Sequence, residues 1–394
     1  MSSSSRIEAL LESVTIRGTK FPNRVIMSPM TRGASPNGVP SAEVAAYYAR
    51  RAAGGVGAIF TESVFIEDKG TMGKFDLEGG DDKKTGWPVM FGEAPLEGWR
   101  RVVDEVHAAG GLIFPQLMHL GIQRSPAKGQ SWSDIHISSP SGIWGTPEQI
   151  AALPEEKAAV MNCPGKAMTE DEIWAVIKAF GDAAANAKSV GFDGIALHGG
   201  HGYLIDNFMR EETNQRTDDW GGDHVGRMRF AVEVVKAVRK AVGDDTLISF
   251  RFSQWTHHDV DAMLTKNSDE LKGILDLLAE AGVDIFEASA RDFRDPVYEG
   301  SDLNISGWTK KLIDKPVVMV GGTGVRRERH ESALTPPQVV DNVDEIMERY
   351  AAGEFDFLAI GRALLNDPNW LQRASAGEPF LDFNPACLKM GYVE

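Results

Sequence analysis

Cysteine is nearly absent: the 394 residues include only Cys163 and Cys387. Two thiols exclude a disulfide framework and any four-thiolate zinc or iron–sulfur site, and they leave room for at most one bridge. Long apolar runs are also missing. No stretch approaches the roughly 18 uninterrupted apolar residues of a membrane-spanning helix. The serine-rich start, Met1 to Arg6, has no apolar block behind it and does not read as a secretory signal. Positive charge is scarce, with 41 Lys+Arg against 57 Asp+Glu and a net charge of −16. No basic stripe tracks a phosphate backbone, so neither nucleic acid nor membrane is expected as a partner. The short run Arg326 to Arg329 is expected on a solvated surface. These absences leave a reduced, cytoplasmic, enzyme-sized protein, with a homo-oligomeric assembly left open.

Short apolar runs alternate with amphipathic helical patterns almost from end to end. The strand candidates are Val25 to Ser28, Gly57 to Glu62, Leu112 to Met118, Gly194 to Leu197, Leu247 to Phe252, Val283 to Ala288, Val317 to Val320 and Phe355 to Ile360. Their apolar residues are continuous, the pattern of parallel strands buried on both faces. Helices are expected over Ala42 to Ala53, Leu96 to Ala109, Glu170 to Ser189, Gly226 to Val242, Ser268 to Ala281 and Val340 to Ala352. Gly110, Gly191, Gly243, Gly282 and Gly353 stand as stop signals after helical runs, and Thr169 with Glu172 forms a capping box. Eight strands with intervening helices predict an α/β fold, a single (β/α)8 TIM barrel over residues 1–394. A doubly wound sheet is the alternative, but no GxGxxG opens a helix after the first strand. Lid insertions are expected at about 65–95 and 121–168, leaving from C-terminal strand ends, where barrel active sites lie.

Polar and ring-bearing residues cluster at those same strand ends. They include Pro29-Met30-Thr31, Ser63, Gln116, His198 through Tyr203, Arg251, Gly321-Gly322 and Gly361-Arg362. His198 and His201 could bind a metal, but no third ligand stands near them in sequence. The same pair could aim two N–H donors at a carbonyl or nitro oxygen, with the Tyr203 phenol beside them as a proton donor. The plain reading, three satisfied core groups, is less economical for three such residues within six positions. Glycines and Arg362 after the last two strands suit a phosphate. Arg251, interior to a strand, needs an anion against it, either a bound cofactor or a structural carboxylate.

Taken together, the residues from Phe21-Pro22-Asn23-Arg24 to Asp367-Pro368 resemble the Old Yellow Enzyme family of FMN-dependent NADH:flavin oxidoreductases, the ene-reductases and 12-oxophytodienoate reductase-like proteins. The most specific block is GFDGIALHGGHGYLIDNFMREETNQRTDDWGG, from Gly191 to Gly222, and a second is FLAIGRALLNDPNW. The resemblance implies non-covalent FMN, with NAD(P)H as co-substrate and an activated alkene as substrate. It places Pro29, Met30 and Thr31 beside the flavin ring, Ser63 at its edge, and Gln116 and Arg251 at its pyrimidine end. It gives the phosphate to Gly321, Gly322, Gly361 and Arg362, the substrate oxygen to His198 and His201, and proton donation to Tyr203. Met118 stands where many members carry Trp, which should soften the substrate pocket. An amine or N-methyl demethylase on the same scaffold, or a flavin-binding protein without turnover, remain as alternatives.

Overall fold

The structure, a computed structural model, describes residues 5–71, 86–124, 133, 135–151, 155, 158, 161, 165–332, 335–389 and 391. Parts of both expected insertions, and Cys163, lie outside the described residues. Eight parallel strands close into a barrel: β1 (Val25–Met27), β2 (Ala58–Phe65), β3 (Leu112–Met118), β4 (Gly194–His198), β5 (Leu247–Ser253), β6 (Ile285–Ser289), β7 (Val317–Val320) and β8 (Phe357–Ile360). The ring closes where β8 pairs with β1, Leu358 opposite Val25 and Ile360 opposite Met27. The TIM-barrel expectation therefore stands, and each expected strand lies within three residues of an observed one at either end.

Local chemistry sets the helix boundaries. Thr169 and Glu172 form the reciprocal capping box that opens Glu170–Ser189. All five predicted stop glycines take a positive φ, between 73° and 124°. Several short helices escaped the sequence reading, Ile305–Leu312 the longest of them. It has only eight residues, including a glycine and two β-branched positions, so its periodicity is faint, and it starts on an Asn304 side-chain cap.

The barrel interior follows from strand alternation, since residues two apart share a face. Ile26, Ala58, Phe60, Phe114, Ala196, Leu247, Ile285, Val318 and Phe357 form one inner apolar cluster. A hairpin, Val14–Ile16 with Thr19–Phe21, packs onto it and brings Phe21 to 5.0 Å from Phe357, between ring centroids. This end is the N-terminal floor. Two residues further up the same inward rows the chemistry changes: Phe114 is followed by Gln116, Ala196 by His198, Ile285 by Glu287, and Leu247 by Ser249 and then Arg251. In β2 the pairing with β3 shifts between Phe60 and Ser63. The irregularity leaves Glu62 buried, its Oε2 accepting the backbone N–H groups of Arg32 and Gly33 at 2.8 and 2.7 Å.

Candidate active site

The segment after β4 is held rigidly by buried partners. His201 has φ +64°, a left-handed conformation that costs a non-glycine residue about 1 kcal/mol or more and persists only under local constraint. The constraints are visible. His201 N–H donates to Ser253 Oγ at 3.0 Å, Gly202 N–H to Asp206 Oδ2 at 2.6 Å, and Gln123 Nε2 to the His201 carbonyl at 2.8 Å. Asp206 in turn accepts from Arg210 Nε at 2.9 Å, and Arg210 reaches the Ser253 carbonyl at 3.1 Å. Gly199 has no room for a side chain, because a Cβ there would lie 2.2 Å from the Phe250 ring.

This frame brings three rings together. His198 and His201 stand 5.0 Å apart at 86°, and Tyr203 lies 4.8 Å from His198. Burial pushes both imidazoles well below their ordinary pKa, and Arg251 adds to the effect, so both are neutral at pH 7. His198 Nδ1 accepts a long bond from Gly200 N–H at 3.4 Å, which leaves the ring hydrogen on Nε2 as a donor. His201 Nε2 lies 2.9 Å from Ser289 Oγ. Burial raises the Tyr203 phenol to about 12, opposed by Arg251, so it stays protonated across the neutral range. Among the described residues, no group of three or more His, Cys, Asp or Glu is placed to hold a metal ion.

One cavity at the C-terminal mouth is lined by Pro29, Met30, His201, Arg251, Gly321, Gly322, Gly361 and Arg362. Ser63 and Gln116 sit at neighbouring strand ends, Ser63 Oγ to Gln116 Oε1 at 3.2 Å, and His198 pairs in register with Arg251. Thr31 is exposed, one residue beyond Met30, and is not among the residues lining that cavity.

Several lining residues were not anticipated. Arg327 joins Arg362 at the glycine end, which corrects the expectation of a wholly solvated Arg326–Arg329 run. The short strand Val325–Arg326 pairs with Gln338–Val339, and its alternation buries Val325, exposes Arg326 and turns Arg327 toward the cavity. Burial pushes Arg327 down to about 10, and repulsion from Arg362 and Arg291 deepens the shift. Arg362 is lowered by the same two causes, burial first and then Arg291. Clustered guanidiniums with no carboxylate in ion-pair distance of Arg327 or Arg362 among the described residues make an anion site. Arg251 finds its structural carboxylate in Glu287, buried on the adjacent strand, with Nε 3.6 Å from Oε1. That pairing is loose: neither Glu287 oxygen nor Arg251 Nε has a hydrogen-bond partner among the described residues. Trp255 stacks on His201 at 4.2 Å, and His257 stands 5.4 Å from His201 and 5.6 Å from Tyr203.

The donor set fits a flavin mononucleotide. Among the described residues, Gln116 Nε2 and Thr323 Oγ1 are buried with no partner, the first at the strand ends and the second beside Gly322. An amide and a cation at one end and glycines with two arginines at the other match a heterocycle and a phosphate in turn.

A closed eight-stranded parallel barrel with that mouth defines a flavin-dependent oxidoreductase scaffold. The chain belongs to the NADH:flavin oxidoreductase / NADH oxidase family, which it matches over residues 9–380. It is 30% identical over 395 residues to a probable flavin mononucleotide-dependent alkene reductase of Leishmania infantum, covering 98% of this chain and 96% of that protein. It is 34% identical over 365 residues to an NADH oxidase of Thermoanaerobacter brockii, and there it spans 90% of its own length but 49% of the relative's. The fold matches that of the old yellow enzyme homologue from Zymomonas mobilis with a TM-score of 0.75 at 23% identity, covering 97% of each chain. As a member of this FMN-dependent family, the protein is an oxidoreductase that takes FMN and a reduced nicotinamide co-substrate.

Proposed function

We propose that the protein is an ene-reductase, reducing the activated C=C bond of an α,β-unsaturated carbonyl or nitro compound with NAD(P)H in a ping-pong cycle. The observation that carries this reading is the convergence of the His198, His201 and Tyr203 rings, with His201 lining the cavity that also holds Arg251 and the arginine–glycine end. Two neutral imidazoles and one protonated phenol suit a substrate that gains negative charge on oxygen and then a proton on carbon.

When bound, FMN supplies the two-electron hydride chemistry. Pro29, Met30, Thr31 and Ser63 would border its ring. Gln116 and Arg251 would hold the pyrimidine end, and Gly321, Gly322, Gly361 and Arg362, with Arg327 added, would hold the phosphate. His198 Nε2 and His201 would donate to the substrate oxygen, which would compete with Ser289 for His201. Their N–H groups would steady negative charge on that oxygen as the β-carbon is reduced. Tyr203 would give its phenolic proton to the α-carbon, and the buried loop around Asp206 and Arg210 would keep the three rings aligned.

The test is anaerobic NADPH oxidation by the purified holoenzyme with and without cyclohex-2-enone. Enone-dependent oxidation that yields the saturated ketone, with FMN released on heating, is expected. Oxidation indifferent to the enone, or turnover only with an N-methyl amine donor, would sink the reading.

A further inference from the structure

The stretch after β1 is fastened from two sides, and one of the fastenings comes from a distant part of the chain. Glu62, buried on β2, accepts both the Arg32 and the Gly33 backbone N–H groups on its Oε2. Gly33 turns there with φ +56°. The Arg32 side chain is 2% exposed and does not line the flavin cavity. Its Nε donates to the Gly391 carbonyl at 3.0 Å, and its Nη2 donates to the carbonyls of Lys389 and Gly391. The Arg32 carbonyl accepts the Gly391 N–H in return, at 2.8 Å. Among the described residues, then, the hydrogen-bond partners of this buried cation are backbone carbonyls alone. A guanidinium so deeply buried is costly unless its N–H groups are satisfied. Those carbonyls hold Arg32 in place, and Arg32 carries the backbone beside Thr31 with it.

The same segment is tied to the other end of the cofactor site. The short helix Arg362–Asn366 opens on the arginine proposed for the phosphate and ends on Asn366. Asn366 Nδ2 donates to the Asp382 carbonyl at 3.1 Å, and its Oδ1 accepts the Asn384 N–H at 2.7 Å. The turn of helix Pro385–Leu388 then starts on the Asn384 side-chain cap and buries Cys387 in the main core. Lys389 and Gly391 follow, on Arg32. The seam between these two ties is the one where β8 pairs with β1. Across it, Met30 Sδ stands 3.6 Å from the point that a Cβ on Gly361 would occupy. Residues 382–389 with Gly391 thus form a strap, fixed at Asn366 on the phosphate side and at Arg32 on the ring side.

We propose that Arg32 and Glu62 are positioning residues for FMN, and that the strap and the cofactor are energetically coupled. The strap seated on Arg32 orders Pro29, Met30 and Thr31 to receive the ring, and bound FMN in turn holds the strap down. Linkage requires both directions: the factor by which the strap tightens FMN equals the factor by which FMN stabilises the strap. The inference rests on the placement of Pro29, Met30 and Thr31 at the flavin ring proposed above.

The experiment measures FMN affinity of the deflavinated full chain by flavin fluorescence, and hydrogen exchange of the 382–391 peptide with and without FMN. Arg32→Met removes the fork and should raise the Kd for FMN about 10- to 100-fold, the scale of charge-assisted hydrogen bonds. Arg32→Lys puts a point charge in place of the fork and should recover only part of the loss. In the wild type, FMN should slow exchange of the strap by a similar factor. A chain ended after Phe383 should bind FMN more weakly than Arg32→Met, because it leaves the buried guanidinium without its carbonyls. Adding Arg32→Met to that shortened chain should then tighten FMN again, a reversal of sign that plain loss of packing does not give. Should the shortened chain fail to fold, the point variants and the exchange measurement decide. An FMN affinity in Arg32→Met unchanged from the wild type, or strap exchange indifferent to FMN, overturns the coupling. Weaker binding by the double variant than by the shortened chain would mean that Arg32 acts without the strap, and overturns it as well. Thr31→Val tests the placement underneath: an unshifted midpoint potential of the bound flavin removes the ring contact and the inference with it. A shifted potential beside an indifferent strap leaves the placement standing, and the coupling alone falls.

Discussion

The floor and the mouth of this barrel are built from the same strands, two to four residues apart, and they differ in almost every physical respect. At the floor the inward side chains are Phe, Ile, Leu, Val and Ala, and Phe21, Phe114 and Phe357 pack ring against ring. At the mouth the inward positions carry Gln116, His198, Arg251, Glu287 and Ser289, and several of their polar atoms are buried without partners among the described residues. Unsatisfied buried polar atoms cost roughly 1–3 kcal/mol each. The floor therefore supplies stability and the mouth spends it, and a bound ligand at the mouth recovers part of the cost by satisfying the orphaned groups.

The largest expected effect that tests this division is at Tyr203. Tyr203→Phe removes one hydroxyl from a ring packed among Phe65, Val89 and Met118, so fold and flavin content should survive. The half-reaction with an enone should slow by roughly 10²- to 10⁴-fold, the scale of general-acid catalysis, while flavin reduction by the nicotinamide donor should hold its rate. Equal slowing of both half-reactions would make the residue structural and blur the contrast between mouth and floor.

The mirror experiment is Phe114→Ala. Phe114 is fully buried, with its ring 5.0 Å from Phe60 and within contact of Gly194. Truncation should cost about 3–5 kcal/mol in denaturant unfolding of the FMN-free protein. Rates per flavin-loaded site should stay within about twofold of the wild type. A large change in the enone half-reaction of the loaded variant would mean that floor packing positions the mouth.

The two regions were not equally legible in the sequence. Parallel strands buried on both faces read as continuous apolar runs, so all eight strands, the closure, the Thr169 cap and five stop glycines were visible, while the Asp223, Asn267 and Asn304 caps were not. The His198–Tyr203 group was visible because its members are neighbours in the chain. Residues brought in by barrel closure were not, since Trp255, His257 and Arg291 lie on loops whose meeting requires the finished ring. Arg327 was misplaced because its run looks like surface charge, although the alternation Val325, Arg326, Arg327 carried the signal. Glu287 left a trace as well: it is the one charged residue in its strand, as Arg251 is in its own.

The smallest expected effect is at that pair, where the comparison is sharpest because Glu287 lies one position above the apolar Phe286 and opposite Arg251 on the next strand. Burial raises the carboxyl and Arg251 opposes the rise. In its ionised form the carboxylate offsets part of the charge Arg251 presents to the cavity. Glu287→Gln keeps the shape and removes the offset. With Arg251 less screened, negative charge at the pyrimidine end is better stabilised, and the midpoint potential of the bound flavin should rise by about 30 mV, a tenfold change for two electrons. Stability should change little or improve, because neutralising one partner also removes the desolvation cost of a buried charge, here in a pairing as loose as 3.6 Å. Potentiometric titration of wild type and variant decides it. A fall in potential would mean that Glu287 holds Arg251 in place rather than screening it, and Arg251→Lys would then lower the potential no further in the Glu287→Gln background than in the wild type.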